Sequence, residues 1–490
     1  MNKQKIKLNN TVLYKSKTIE VRGDIIVPDI KPDIVNIINS NGNVYIYKKE
    51  VTTSRIRVDG NLDAHIIYLA DNGETRSIQT TLNFIETIED SSITEEMFFD
   101  YDLNIQKIET KILNERKISI VAVVELNGIF KRIDEVEILE DIDEITDVEK
   151  LEENIKIKNL IGINSAKTTL KESIRVDAND EIAEILKTNI NIINSETKIS
   201  YNKILAKAEA SIEIMYLTED DRINTINSIF PVMSFIDLEN IKEENECKVK
   251  YKIKNMLFTQ NSKEQNGILV QIEFEVQCEV VENKEIKVIQ DIYGLKNDVE
   301  CKENLVKVNI CEENNNDVLN IEEKVFIEDI NKVIDIDCFP KILDRKNLNN
   351  ITNYEGEIHI NILYEVDNRR GLCSKEIKVP FTFKKEKAER IKLNITKKEF
   401  SLSNENINLF LEMEIIEIMS QNKEVKLIEE INIEEKKEEE TYSMIVYFVK
   451  PEDTLWNIGK KFKVSIGNIC KYNNIENSKI IPGNKLYIVR

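Results

Sequence analysis

Ile56-Arg57-Val58-Asp59-Gly60-Asn61-Leu62-Asp63-Ala64-His65-Ile66-Ile67-Tyr68 carries an apolar or small residue at every second position and ends on tyrosine. Side chains of an extended strand point alternately to two faces, so this pattern is that of a strand with one face on a core and the other wet. The stretch recurs as Ile204, Ala206, Ala208, Ala210, Ile212, Ile214 and Tyr216, and again as Tyr354, Gly356, Ile358, Ile360, Ile362 and Tyr364. The three tyrosines lie 148 residues apart, as do Gly60, Ala208 and Gly356. A fixed long period marks tandem copies of one folding unit.

The same offset recovers an element upstream. Ile34, Ile37 and Ile38 become Ile182, Ile185 and Leu186, then Ile330, Val333 and Ile334. Their i, i+3, i+4 spacing predicts one face of a short helix, with Pro32 where a first helical turn tolerates proline. A second strand-rich half follows in each copy. Val270, Ile272, Phe274, Val276, Cys278 and Val280 alternate with polar residues, as do Leu409, Leu411, Met413 and Ile415. A turn and strand is expected after each, at Asn283-Lys284 and Asn422-Lys423, and the first copy's less regular equivalent lies around Ile118 to Leu126. The expected fold class is mainly β, as tandem β-sandwich-like or β-rich α+β modules at 16–163, 164–311 and 312–433. A polar tail is expected over 1–15, and the charge run from Glu434 to Glu440 predicts an acidic linker over 434–443.

Composition narrows the function. The 490 residues are 41% hydrophobic, enough for real cores, and carry 89 acidic against 68 basic side chains, net −21. A field of that sign repels phosphate backbones and anionic headgroups, so no nucleic-acid partner is expected. Met1 to Leu13 lacks the apolar run of a secretory signal, and no stretch of about 18 apolar residues offers a membrane span. These features predict a cytoplasmic protein without direct membrane insertion. Seven scattered cysteines without a C-x-x-C pair indicate neither a disulfide framework nor a zinc site. Cys278 reads as a buried hydrophobe and Cys470 as a helix-end thiol in a basic neighbourhood.

No catalytic constellation emerges. The two histidines, His65 and His359, fall on the polar face of their strands and read as exposed surface residues. G-x-S-x-G, Walker A, H-E-x-x-H and G-x-G-x-x-G motifs are all missing from the sequence. No enzyme, no cofactor and no metal is expected.

From Met444 to Arg490 the character changes. Residues 447–490 hold seven Lys and one Arg against Glu452, Asp453 and Glu476, a local charge of about +5. The order reads as strand (444–449), helix (454–462), helix (465–472) and strand (485–489). Asp453 or Thr454 caps the first helix and Ser465 the second. Tyr447-Phe448-Val449-Lys450-Pro451-Glu452-Asp453-Thr454-Leu455-Trp456-Asn457-Ile458 and Ile480-Ile481-Pro482-Gly483-Asn484-Lys485-Leu486-Tyr487-Ile488 resemble the opening and close of a LysM module. That resemblance implies a small α+β (βααβ) domain that binds N-acetylglucosamine-containing glycans. Its groove would lie between Asp453, Thr454 and Leu455 and the segment Ile480, Ile481, Pro482 and Gly483. The family usually places Gly where this chain has Glu452, which puts a negative side chain at the groove's lip. Trp456 is expected to pack the small core rather than stack on a ligand.

Near the N-terminus, Ile26-Val27-Pro28-Asp29-Ile30-Lys31-Pro32-Asp33-Ile34 resembles the opening motif of the SPOCS domain. Pro28, Asp29, Pro32 and Asp33 carry the signature; the later copies have lost the prolines. SPOCS modules, an acidic linker and a terminal LysM together resemble the SipL-type coat morphogenetic proteins of clostridia, counterparts of SpoVID. The resemblance implies a mother-cell scaffold at the forespore surface and spore coat. It would bind the coat protein SpoIVA partly through LysM, with other coat proteins as further partners. The alternative is a LysM-mediated binder of peptidoglycan in the cortex or cell wall.

Overall fold

The computed structural model describes residues 2–141, 146–261, 266–348, 351–366, 372–386, 390–403, 405–434, 444–475 and 479–489. The chain repeats one six-strand unit three times. In the first module β1 (Asn2–Ile26), β6 (Lys117–Asp141) and β5 (Phe98–Asn114) form one antiparallel sheet. Between them in sequence, β2 (Ile34–Thr52), β3 (Arg55–Ala70) and β4 (Thr75–Glu89) form the other. The second module repeats this order with β7 (Val148–Arg175), β8 (Ile182–Ser200), β9 (Lys203–Thr218), β10 (Ile223–Asp237), β11 (Glu246–Gln260) and β12 (Gly267–Gly294). The third uses β13 (Asp298–Phe326), β14 (Ile330–Leu348), β15 (Ile351–Val366), β16 (Cys373–Glu386), β17 (Arg390–Ser403) and β18 (Asn406–Glu434). Each pair of sheets closes on its own core: Ile56, Leu62 and Ile66 with Ile120 and Val124 in the first, Ile212 with Phe274 in the second, Ile360 with Leu411 in the third. The chain is mainly β, with a small α+β domain at its end.

The repeated Gly/Ala/Gly position has a steric cause. Gly60 pairs with Phe84 across β3 and β4, and a Cβ there would fall 2.3 Å from the Phe84 ring. Gly356 meets Phe381 in the same way, also at 2.3 Å. In the second module the cross-strand partner is the smaller Val232, and Ala208 fits. A phenyl ring laid over a strand glycine covers the backbone that the missing side chain leaves bare.

The short helices expected at Ile34–Ile38 and its copies are strands. β2 slips register between Ile34 and Asn36 and again between Ile37 and Asn39; β8 does so at 182/184 and 185/187, and β14 at 330/332 and 333/335. Each bulge adds one residue, so inward positions fall three apart instead of two and imitate helical spacing. Ile34 and Ile37 face their own sandwich core, as Ile182 and Ile185 and then Ile330 and Val333 do. The extra residue of the second bulge, Ile38, Leu186 or Ile334, turns the other way. These three meet in one cluster with Ile67, Met215 and Leu363, which occupy equivalent places on β3, β9 and β15. The three modules therefore share a pseudo-threefold axis.

At the other end the first and last strands of each module extend beyond the sandwiches as paired ribbons. Ile6, Leu8 and Ile138, then Ile155, Ile157, Ile286 and Val288, then Val425 and Leu427 pack together, one ribbon from each module. Two expectations change here. Residues 2–15 are no tail: Ile6 and Leu8 are buried, while Lys3, Lys5 and Lys7 point outward to Glu137 and Glu135. The turn expected at Asn283-Lys284 is also missing, because β12 runs on and pairs these residues with Lys158 and Ile157 of β7. A register slip between Val280 and Val281 breaks the alternation there without ending the strand. The boundaries placed at 163/164 and 311/312 consequently fall inside β7 and β13. Of the expected linker, Glu434 ends β18, opposite Asp298, and 435–443 lie outside the described residues.

Both histidines differ from expectation. His65 does lie on the face away from its own core, but the second module covers it: it is 6% exposed, with Nε2 3.5 Å from Thr188 Oγ1. Burial, helped by the nearby Lys187 charge, pushes its imidazole down to about 4. His359 is half-buried, with Nε2 on Glu357 and Nδ1 3.7 Å from Glu376. Alternation shows which face a side chain takes, not what another module lays over it.

Candidate functional site

The C-terminal domain is built from β19 (Met444–Phe448), α1 (Leu455–Phe462), α2 (Ile466–Asn473) and β20 (Lys485–Val489), with β19 antiparallel to β20. Thr454 Oγ1 caps α1 by accepting from Asn457 N–H at 3.1 Å, and Ser465 Oγ caps α2 by accepting from Asn468 N–H at 3.1 Å. Val449 ties together the two loops expected to form the groove. Its N–H donates to Asn484 O at 2.9 Å and its carbonyl accepts from Gly483 N–H at 2.8 Å.

The seven groove residues divide by role. Leu455 and the half-buried Ile480 belong to the small core with Ile458, Ile469 and Leu486. Asp453 pins the first loop, accepting from Lys450 N–H at 2.7 Å and from Tyr447 OH at 2.9 Å, and these bonds hold its carboxyl below the usual range. Thr454, Ile481, Pro482 and Gly483 remain exposed, Ile481 at 65%. Glu452 takes a left-handed backbone with φ of 71°, which explains why glycine suits that place and makes Glu452 a strained substitute.

Trp456 departs from expectation. It is buried, but outside the domain's own core. Its ring packs edge-on against Tyr293 of β12, centroids 4.9 Å apart, and Nε1–H donates to Asp291 Oδ2 at 2.8 Å. Tyr293 OH donates to Val464 O at 2.9 Å, and Gly459 leaves room for that hydroxyl, since a Cβ would come within 2.4 Å of it. Lys460 reaches Asp291 at 2.6 Å and Lys463 reaches Asp298. Burial raises the Asp291 carboxyl, but Lys460 and Trp456 outweigh it and hold the group below its ordinary value. Asp291 sits just past a slip in β12 that re-aims its side chain. Helix α1 is thus spent on the body of the molecule, while the two exposed loops are not.

The N-terminal signature forms a turn between β1 and β2, closed by Lys31 N–H to Pro28 O at 2.9 Å. Its anchor is Arg116, in the β5–β6 turn, which sequence reasoning missed. One guanidinium donates to Lys31 O at 2.7 Å, Asp33 Oδ1 at 2.8 Å, Val27 O at 3.1 Å and Pro28 O at 2.9 Å. Asp29 is fully exposed 3.5 Å from the same group, and Tyr68 OH donates to Pro32 O at 3.2 Å. In the second module the turn is held differently: Asp180 accepts from Tyr216 OH at 2.7 Å and Asn224 at 2.8 Å, with Arg222 at 2.9 Å. Pro28, Pro32 and Asp33 therefore shape a turn, and Asp29 and Ile30 form its exposed tip.

Residues 33–113 and 181–261 match the SipL, SPOCS domain family, and residues 447–489 match the LysM domain family. The chain carries SipL-type SPOCS domains and a LysM domain. The two SPOCS matches begin at the same repeat position and span β2–β5 and β8–β11; Pro28, Asp29 and Pro32 lie just ahead of the first. Neither a curated protein nor a solved structure matches the chain. SPOCS and LysM are non-catalytic binding domains, and the pair fits a coat-associated protein with a glycan-binding domain. Among the described residues no helix is long and apolar enough to cross a membrane, and no three His, Cys, Asp or Glu side chains stand together as a metal site.

Proposed function

We propose that this chain is a non-enzymatic scaffold of spore coat assembly. In this reading it acts in the mother-cell cytoplasm at the forespore surface, where it binds a SpoIVA-like coat protein and promotes encasement. The observation that carries the reading is the seating of LysM on the SPOCS body. Trp456, Gly459, Lys460 and Lys463 fix its orientation, so Thr454, Ile481, Pro482 and Gly483 are presented as a rigid docking edge rather than on a free tether. Asp29 and Ile30 would add a second contact at the far turn.

The test offers the full chain to a SpoIVA-like coat protein and to insoluble peptidoglycan side by side, with Ile481→Asp as the variant. Retention on the coat protein, weakened about tenfold by the variant, supports the scaffold. Retention on peptidoglycan alone would replace it with the second reading, a wall- or cortex-binding protein, which the LysM match itself favours.

A further inference from the structure

A cleft of about 450 Å³ opens between the first and second modules. Its floor is the outer face of the β2–β3–β4 sheet, with Tyr45, Asn61, Asp63, His65, Gln79 and Thr81; its wall is Asn255 to Phe258 of β11. That size is within the range of small-ligand sites. A register slip between Ile253 and Asn255 sets the wall's side chains beside the floor.

The floor is organised around Asp63. Tyr45 OH donates to Oδ2 at 3.0 Å, Thr81 Oγ1 donates to Oδ1 at 2.6 Å, and Asn61 donates to Tyr45 OH at 3.4 Å. Each carboxylate oxygen accepts one of these bonds and keeps capacity for another. Beside it, two buried polar atoms have no partner among the described residues: His65 Nδ1 and Asn61 Oδ1. Asn41, opposite His65 across β2 and β3, leaves both of its amide atoms unpaired as well. Buried polar atoms without partners are costly, and the pair on His65 and Asn61, both of which line the cleft, needs a reason; Asn41 lies behind them, outside the lining. Among the described residues no lysine or arginine lines the cleft, and the buried His65 is neutral at pH 7. The lining offers carboxylate, amide, hydroxyl and imidazole groups between the aromatic rings of Tyr45 and Phe258.

We infer that this cleft is a binding site for a neutral saccharide, with Asp63 accepting from ligand hydroxyls and Phe258 packing on a sugar face. A ring of alternating hydroxyls and C–H faces matches acceptors set beside an aromatic wall, whereas an anion would meet Asp63 with no cation to balance it. The site belongs to the first module alone. The places of Tyr45, Asn61 and Asp63 are taken by Ile193, Glu209 and Ser211 in the second, and by Lys341, Glu357 and His359 in the third. The inference stands on this geometry and does not depend on the coat reading.

The test is calorimetric titration of the full chain with chitotetraose, maltotetraose and cellotetraose, in an Ile481→Asp background so that LysM is not what is read. At least one is expected to bind, and Asp63→Asn and Phe258→Ala are each expected to weaken binding about tenfold or more. Circular dichroism melts check that both variants fold, and Phe258→Ala leaves the Asp63 bonds in place. The inference is overturned if none of the three binds at millimolar concentration, if both folded variants bind as well as the parent, or if a cationic peptide competes for the cleft.

Discussion

β4 and β10 hold the same place in the first two modules, and their inner faces agree. Ile78, Phe84 and Ile88 in one answer to Ile226, Val232 and Ile236 in the other, and all pack on the sandwich cores. Their outer faces agree less: Gln79 with Asn227 and Ile85 with Met233 are alike in kind, and the other positions differ. β4 presents Gln79, Thr81 and Asn83, while β10 presents Ile229, Pro231, Met233 and Phe235, with Phe235 65% exposed. The inner face is constrained by a core that must close, and a change of one methylene is felt there. The outer face is constrained only by what covers it, so each module has been free to specialise.

Breaking the comparison at the core gives the largest effect. Phe84→Ala, which empties the space over Gly60, is expected to cost about 3–5 kcal/mol in urea unfolding. Phe235→Ala, the same chemical change on an outer face, is expected to stay within about 0.5 kcal/mol. Equal losses would mean that the outer face of β10 is not free.

The next effect concerns His65, whose counterpart in the second module is Glu213. A histidine held near 4 in the folded protein and near 6.5 when unfolded favours the folded state above about pH 6.5, and loses that contribution as pH falls toward 4. The lost stability is about 3 kcal/mol at the acid end, set mainly by burial of the imidazole, with Lys187 the nearby charge that adds to it. Urea midpoints measured across that window should fall in the parent and fall by about 3 kcal/mol less in His65→Gln. A parallel decline in both would place the acid sensitivity elsewhere.

The smallest is an exchange between the two faces. Thr81→Ile puts the second module's Ile229 into the first module and removes the hydrogen bond to Asp63 Oδ1. About 1 kcal/mol of stability should be lost, read as a shift in urea midpoint at unchanged slope. No shift would show that Tyr45 alone holds the carboxylate.

Much of this was legible in the sequence. The 148-residue period, the alternating strands and the caps of the LysM helices follow from local rules that act over a few residues. The bulges were misread, because an inserted residue in a strand and a turn of helix both space apolar residues by three. His65 and Trp456 were misread for a different reason. Both obey their local pattern, yet each is buried by a module far away in the chain: His65 under Thr188, Trp456 on Tyr293. Arg116 gave no signal at all, since a single arginine in a turn says nothing about the four groups it gathers.

The contacts around the pseudo-threefold axis are unequal. Where Ile38, Leu186 and Ile334 are alike, the residues one step on differ: Asn39 Oδ1 accepts from Asn361 Nδ2–H at 2.8 Å, whereas Lys187 is buried between Asp335 and Asp337. Three interchangeable modules on one chain could dock in the wrong cyclic order while folding, and all such arrangements would bury similar apolar area. A misplaced Lys187 would be left as an uncompensated buried charge, which the correct neighbour alone relieves. The shared apolar centre suits either cyclic order of the three modules, while the unlike polar rim favours the observed order over its reverse.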